Sequence, residues 1–269
     1  MKQANLSKLE TKTHNRFFAT LLGCLAFLPM ALKLDAAVEG GALAKGSTLS
    51  DGSAVVPEAS ATSKAIKWTN LDLDPGVFDF NSSTPTRLKV KSSGDYFLAF
   101  TGPILEQART ADKRSQVHFF VKKNGSTIIQ AGTARSTYVR HDSDHTESSG
   151  HMHLLLPGLS ANDYVEIYAK CFDNASQNSV KLGTASLFLE KIASSRTIFS
   201  ATATRLVAGT NLNPDTASAL EWTQEVADSG FTHSNSSNSH NITIANAGKY
   251  LVYANLPLSG AVGRASPQM

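Results

Sequence analysis

Four of the eight histidines of this 269-residue chain fall between Arg140 and His153, in the stretch RHDSDHTESSGHMH, which also carries Asp142, Asp144 and Glu147. Imidazole nitrogen and carboxylate oxygen together suit zinc or another divalent transition metal. His151 and His153 are two apart, so a strand would turn both to one face. His141 and His145 precede them on a loop that reaches that face if it folds back. These four histidines are therefore the candidate metal ligands. Arg140, His141, His145 and Glu147, with the nearby Ser and Thr, form an overlapping candidate: a ligand-facing loop for a glycan or a protein. The same residues also read as a solvated loop leading into a strand whose wet face carries two histidines. The spacing lacks the cysteines usual at structural zinc sites, and Asp142-x-Asp144 lacks the Gly and later Glu of a calcium loop. Zinc or calcium is at most an optional ion, and no cofactor is expected.

Catalysis has weaker support. Ser, His and Asp co-occur between residues 140 and 151, but a triad is defined by geometry, and a polar stretch contains all three by composition. The chain has no Gly-x-Ser-x-Gly elbow, no His-Glu-x-x-His and no phosphate-cradling Gly-rich loop. The expectation is a non-enzymatic binding or structural module. The alternative is a metal-dependent or hydrolytic enzyme using loop 140–153.

The elements that must position these residues are strands. From Lys64 onward apolar residues recur with period two, with turn signals every eight to twelve residues. In Arg87-Leu88-Lys89-Val90-Lys91 apolar side chains alternate with cations, as in a strand with one wet face. Tyr96–Phe100, Arg135–Arg140, His151–Leu156, Tyr164–Lys170 and Ala185–Lys191 read as further strands. Val117–Lys122 and Thr127–Gln130 flank Asn124-Gly125, the pair best able to take the positive φ angles of a tight hairpin turn. About eight to ten strands imply a sandwich or a closed barrel. Phe97, Phe119, Tyr164 and Phe188 sit in apolar runs and are expected in the core rather than on a sugar-stacking platform.

The N-terminus reads as an address. Lys2, Lys8, Lys12 and Arg16 precede an apolar run from Phe17 to Leu32 that is shorter than a bilayer span requires, so residues 1–36 are expected to be a secretory signal and not a stable membrane span. Cleavage is expected after Ala36 or Ala37, with Ala42-Leu43-Ala44 as a second small-x-small site. Leu21-Leu22-Gly23-Cys24 matches a lipobox, but the run stays apolar after Cys24 instead of opening a polar tether, which argues against lipidation. Without residues 1–36 the chain holds 20 basic and 20 acidic residues. The basic character belongs to the leader, and nucleic acid drops out as a partner. Only Cys171 remains, so the fold must be held by burial without an intrachain disulfide; within YVEIYAKCF it reads as a buried strand residue. Beyond the leader, the Asn-x-Ser/Thr sequons at Asn81, Asn124, Asn174, Asn235 and Asn241 matter only in a eukaryotic secretory route.

Residues 37–63, rich in Gly, Ala and Ser, read as a flexible linker, and the folded domain as 64–195. A shift of 154 positions then superimposes a second segment without a gap. Trp68 falls on Trp222, Asn81-Ser82-Ser83 on Asn235-Ser236-Ser237, Leu88 and Val90 on Ile242 and Ile244, Gly94-Asp95-Tyr96 on Gly248-Lys249-Tyr250, and Pro103 on Pro257. Such a register implies domain duplication. Residues 196–217 become a linker with the first strand of the next copy, and 218–269 an incomplete second copy.

The order of motifs resembles the C1q/TNF-like jelly-roll superfamily. VKSSGDYFLAF is similar to its Gly-x-Tyr strand, VHFFVKKNGSTII to its strand ending in Asn-Gly, HMHLLLPGLSANDYVEIYA to its Leu-rich strand, turn and next strand, and GTASLFLEKI to its last strand. Asn162-Asp163 stands where the family has Gly-Asp, and no collagen-like stalk precedes the domain. The resemblance implies an all-β antiparallel jelly-roll sandwich, secreted or at the cell surface. It further implies recognition of an extracellular protein or glycan, or self-association as a homotrimer.

Overall fold

The computed structural model describes residues 40–107, 114–140, 146–171, 180–207 and 218–254. The expected leader, residues 1–36, lies outside them. The described residues form strands and turns, and no helix among them is long and apolar enough to cross a membrane. In chain order the strands are β1 (Gly41–Gly46), β2 (Thr48–Leu49), β3 (Lys64–Lys67), β4 (Asn70–Leu73), β5 (Phe78–Asp79), β6 (Leu88–Val90), β7 (Gly94–Glu106), β8 (Arg114–Lys123), β9 (Thr127–Arg140), β10 (Glu147–Leu159), β11 (Tyr164–Cys171), β12 (Val180–Leu182), β13 (Ala185–Lys191), β14 (Phe199–Leu206), β15 (Leu220–Ala227), β16 (Phe231–His233) and β17 (Ile242–Ile244).

β1 to β13 form two antiparallel sheets. The first has the order β10-β7-β13-β1-β4, with β12 on the end of β7; the second runs β2-β3-β11-β6-β5, with β8 on β11 and β9 on β8. Period-two alternation decides what lies between them. In β7 the residues Tyr96, Leu98, Phe100 and Ile104 are buried, and their neighbours face outward. The sheets meet through edge-on ring contacts, Phe100 against Phe119 at 5.1 Å and Phe78 against Tyr96 at 5.8 Å. Gly102 and Gly150 are paired opposite each other where Phe119 presses in, and a Cβ on either would lie 2.7 Å from its ring. Cys171 is buried in this core, which makes the domain an antiparallel jelly-roll sandwich closed by apolar burial.

Two readings of the sequence change. Residues 37–63 were expected as a linker, yet β1 is an interior strand of the first sheet, with Ala42 and Ala44 fully buried, and Leu49 and Val56 join the core. Small residues carry little apolar signal, but an interior strand can accommodate them. The folded domain therefore begins near Gly41, and leader cleavage after Ala44 would cut through β1. The strand read over His151–Leu156 runs on to Leu159 in β10 through a register shift at Pro157-Gly158, with Gly158 at φ 61°. The Asn124-Gly125 hairpin forms as expected, with φ 53° and 75°.

Some local bonds of residues 66–96 recur at residues 220–250, 154 positions on. β14 pairs with β15, matching Leu206 to Leu220 and Arg205 to Glu221, much as β2 pairs Leu49 with Ile66 and Thr48 with Lys67 in β3, although β14 is offset from β2 by 157 positions where β15 is offset from β3 by 154. The Trp222 N–H donates to Ser239 O at 2.9 Å, as Trp68 donates to Pro85 at 2.8 Å. Asn241 N–H bonds Asn238 O as Arg87 bonds Thr84. Asp228 accepts from the Ile198 N–H at 2.6 Å and Asp74 from the Gly40 N–H at 2.8 Å, the two donors lying 158 positions apart where the two acceptors lie 154 apart.

Candidate functional site

The histidine-rich segment comes only partly into view. His141 and His145 lie outside the described residues. Arg140 ends β9, its backbone opposite Arg114, and Glu147 opens β10 opposite Leu105. His151 and His153 do share the outer face of β10, between the buried Gly150, Met152 and Leu154. Each has a protein side chain beside it. His151 Nδ1 lies 3.1 Å from Thr101 Oγ1. The His153 ring stacks on Phe97 at 6.3 Å and on Tyr253 at 5.0 Å, and Phe97 and Tyr253 are themselves 4.5 Å apart. Burial pushes the His153 pKa below its ordinary value, with the nearby His151 charge adding to the effect. No group of three or more His, Cys, Asp or Glu among the described residues is arranged to hold a metal ion.

The rings around His153 belong to a wider feature. Alternation turns Leu43 of β1, Phe97 of β7, Leu155 of β10 and Phe188 of β13 to the outer face of the first sheet, all half-buried. Phe188 is registered with Leu43 and Ala99, Ala99 with His153, and Phe97 with Leu155. Phe97 and Phe188 were expected in the core; of the four aromatics named from the sequence, only Phe119 is there. Period two assigns alternate residues to opposite faces but does not say which face is wet when both carry apolar residues.

The opposite sheet carries a polar site that sequence reading missed. Glu166, 4 % exposed on the outer face of β11, accepts hydrogen bonds from Thr86 Oγ1 at 2.5 Å and Tyr168 OH at 3.3 Å. The Arg87 guanidinium lies over the Tyr164 ring at 4.4 Å, and Lys122 over Tyr168 at 4.1 Å. Beside them, Asp163 ties the β8–β9 hairpin to the turn before β11. It accepts from Asn124 Nδ2 at 2.8 Å, from the Ser160 N–H and from Lys123 Nζ at 2.7 Å, and these bonds, the Asn124 amide foremost, hold its pKa at about 2. Asn124 Oδ1 accepts the Tyr164 N–H, so both ends of this sequon amide are engaged. In sequence Arg87 was visible only as a wet position of one strand, Tyr164 was expected in the core, and Glu166 was not singled out.

No family model matches the chain, and no curated protein matches it. Among solved structures it is similar to the globular domain of zebrafish complement 1qA protein, at 12% identity and a TM-score of 0.37, with 57% of this chain and 97% of that one covered. It is also similar to murine APRIL at pH 5.0, at 14% identity and a TM-score of 0.30, covering 56% of this chain and 98% of that one. The jelly roll that the sequence motifs implied is the architecture formed by the strand order and cross-sheet packing above.

Proposed function

We propose that the chain is a secreted or cell-surface, non-enzymatic binding or structural module, built by tandem duplication of one jelly-roll sandwich, that associates through the outer face of its first sheet. The observation that carries this reading is the Phe97–His153–Tyr253 ring stack. An apolar-lined outer face already takes an aromatic from the neighbouring repeat, and a rigid sheet studded with Leu43, Phe97, Leu155 and Phe188 suits contact between copies of the domain. Export rests on the basic-then-apolar leader, and a homotrimer is the assembly implied by the family resemblance.

Native mass spectrometry with sedimentation velocity tests the reading. The chain is expected to self-associate with rising concentration, and Phe97→Glu with Phe188→Glu to return it to monomer with unchanged circular dichroism. Leu43→Lys supplies a second probe of the same face if that double variant loses its fold. A chain that stays monomeric, or assemblies indifferent to all three positions, would overturn the proposal.

A further inference from the structure

The second sheet, on the other layer from the Phe97 face, has a cavity of about 280 Å³ at its β5–β6 end, lined by Arg87, Lys89, Asn81, Asn162 and Tyr164 among others. Its cations are placed but only loosely engaged. Arg87 is held from below by the Tyr164 ring, while its Nε stays 3.6 Å from Glu166 Oε1, longer than the roughly 2.7–2.9 Å of a closed guanidinium–carboxylate bond. The Arg87 side chain is 44% exposed. Lys89 stands 3.9 Å from Asp79, both well exposed, a pair too loose to hold the ammonium. Asn81 uses its Oδ1 on the Ser83 N–H, which leaves its amide N–H groups as donors. Asn162 adds a second amide from a turn held at φ 78°.

The repeat supplies an independent observation. At the same shift, Asn81 meets Asn235, but Arg87 meets Asn241 and Lys89 meets Thr243, and the turn bond from residue 241 to 238 is kept. The turn thus folds without either cation, so the charge in the cavity is not demanded by the backbone. A guanidinium fork, an ammonium 3.9 Å from the Asp79 carboxylate that also lines the cavity, two amides and an aromatic wall, in a space near the lower limit of small-molecule sites, fit one hydroxyl-rich ring carrying one anionic group.

We propose that this cavity binds a single acidic sugar unit, with Arg87 and Lys89 taking its carboxylate or sulfate and the amides of Asn81 and Asn162 its hydroxyls. The site is separate from the sheet face of the preceding section.

Calorimetric and NMR titration of the full chain would use four probes: glucuronate, N-acetylglucosamine 6-sulfate, glucose and inorganic sulfate. One site per chain is expected for at least one of the two acidic sugars, and which of them binds more tightly identifies the anionic group. Glucose and sulfate should bind about tenfold or more weaker, and Arg87→Gln should lower the affinity about tenfold, Arg87→Lys less. Lys89→Gln reads the same site without disturbing the Arg87–Tyr164 contact, and Phe97→Glu should leave binding unchanged. Equal binding of glucose, sulfate as tight as the sugars, or affinity unmoved by Arg87→Gln and Lys89→Gln would overturn the assignment.

Discussion

Residues 66–96 and 220–250 share their local bonds and differ in what covers them. The Tyr96 hydroxyl donates to Ser92 O at 2.6 Å and the Tyr250 hydroxyl to Asn246 O at 2.6 Å, while Phe78 meets Tyr96 edge-on at 5.8 Å and Phe231, one position off the 154-residue register, meets Tyr250 at 5.9 Å. Yet Leu88, Val90 and Tyr96 are fully buried, whereas Ile242, Ile244 and Tyr250 are 37%, 47% and 39% exposed. In the first region β7, β8, β11 and β13 complete the sandwich over these residues; no described strand does so in the second. Turn chemistry and short pairings are thus encoded within about thirty residues, while the hydrophobic stabilisation of the same side chains depends on strands elsewhere.

Substitutions at matched positions would break or sharpen this contrast. The largest difference is expected for Leu88→Ala against Ile242→Ala in urea unfolding. A buried leucine should cost about 2–5 kcal/mol, and its half-exposed counterpart under about 1 kcal/mol. Equal losses would mean that the second region is covered after all. Next comes Asp163→Asn, which loosens the tie between the β8–β9 hairpin and β11, elements that cover only the first region, and should cost about 1–2 kcal/mol. Folding lowers the Asp163 pKa from 3.8 to about 2, so the unfolded chain takes the proton first. This stabilisation is fully present above about pH 4 and lost as pH falls through 2, and the variant should lack that part of the acid sensitivity.

Smaller again is Tyr96→Phe against Tyr250→Phe. The buried hydroxyl should be worth about 1 kcal/mol and the exposed one less than about 0.5 kcal/mol, read from paired denaturation midpoints. The smallest effect is expected where the regions touch. The His153 pKa is lowered from 6.5 in the folded chain, so protonation disfavours its burial. Contact with Tyr253 should be held above about pH 6.5 and loosen as pH falls through the lower folded value, visible as a shift of the Tyr253 ring signals that His153→Phe abolishes.

Much of the first domain was legible because strong alternation survives in single strands. Ala185–Lys191 forms as read, Asn124-Gly125 turns as read, and Cys171 is buried as read. β2, β4 and β5 were missed because two to four residues cannot display a period, and β1 because Gly-Ala-Leu-Ala resembles linker composition. The placement of His151 and His153 on one face followed from their spacing. That Tyr253, a hundred residues further on, would stack on His153 did not. The Arg87–Tyr164 cavity was equally hidden, since its lining comes from β5, β6 and a turn more than seventy residues beyond.

The sequence by itself determined the all-β class, the period of each long strand and the Asn124-Gly125 hairpin turn, because each depends on neighbours along the chain or on residue types alone. Only the tertiary structure decided which face of a strand is wet, which small-residue segment becomes an interior strand, and which cations share a cavity. Those outcomes depend on pairings between distant strands, whose free energy comes from burying surfaces that no local window contains.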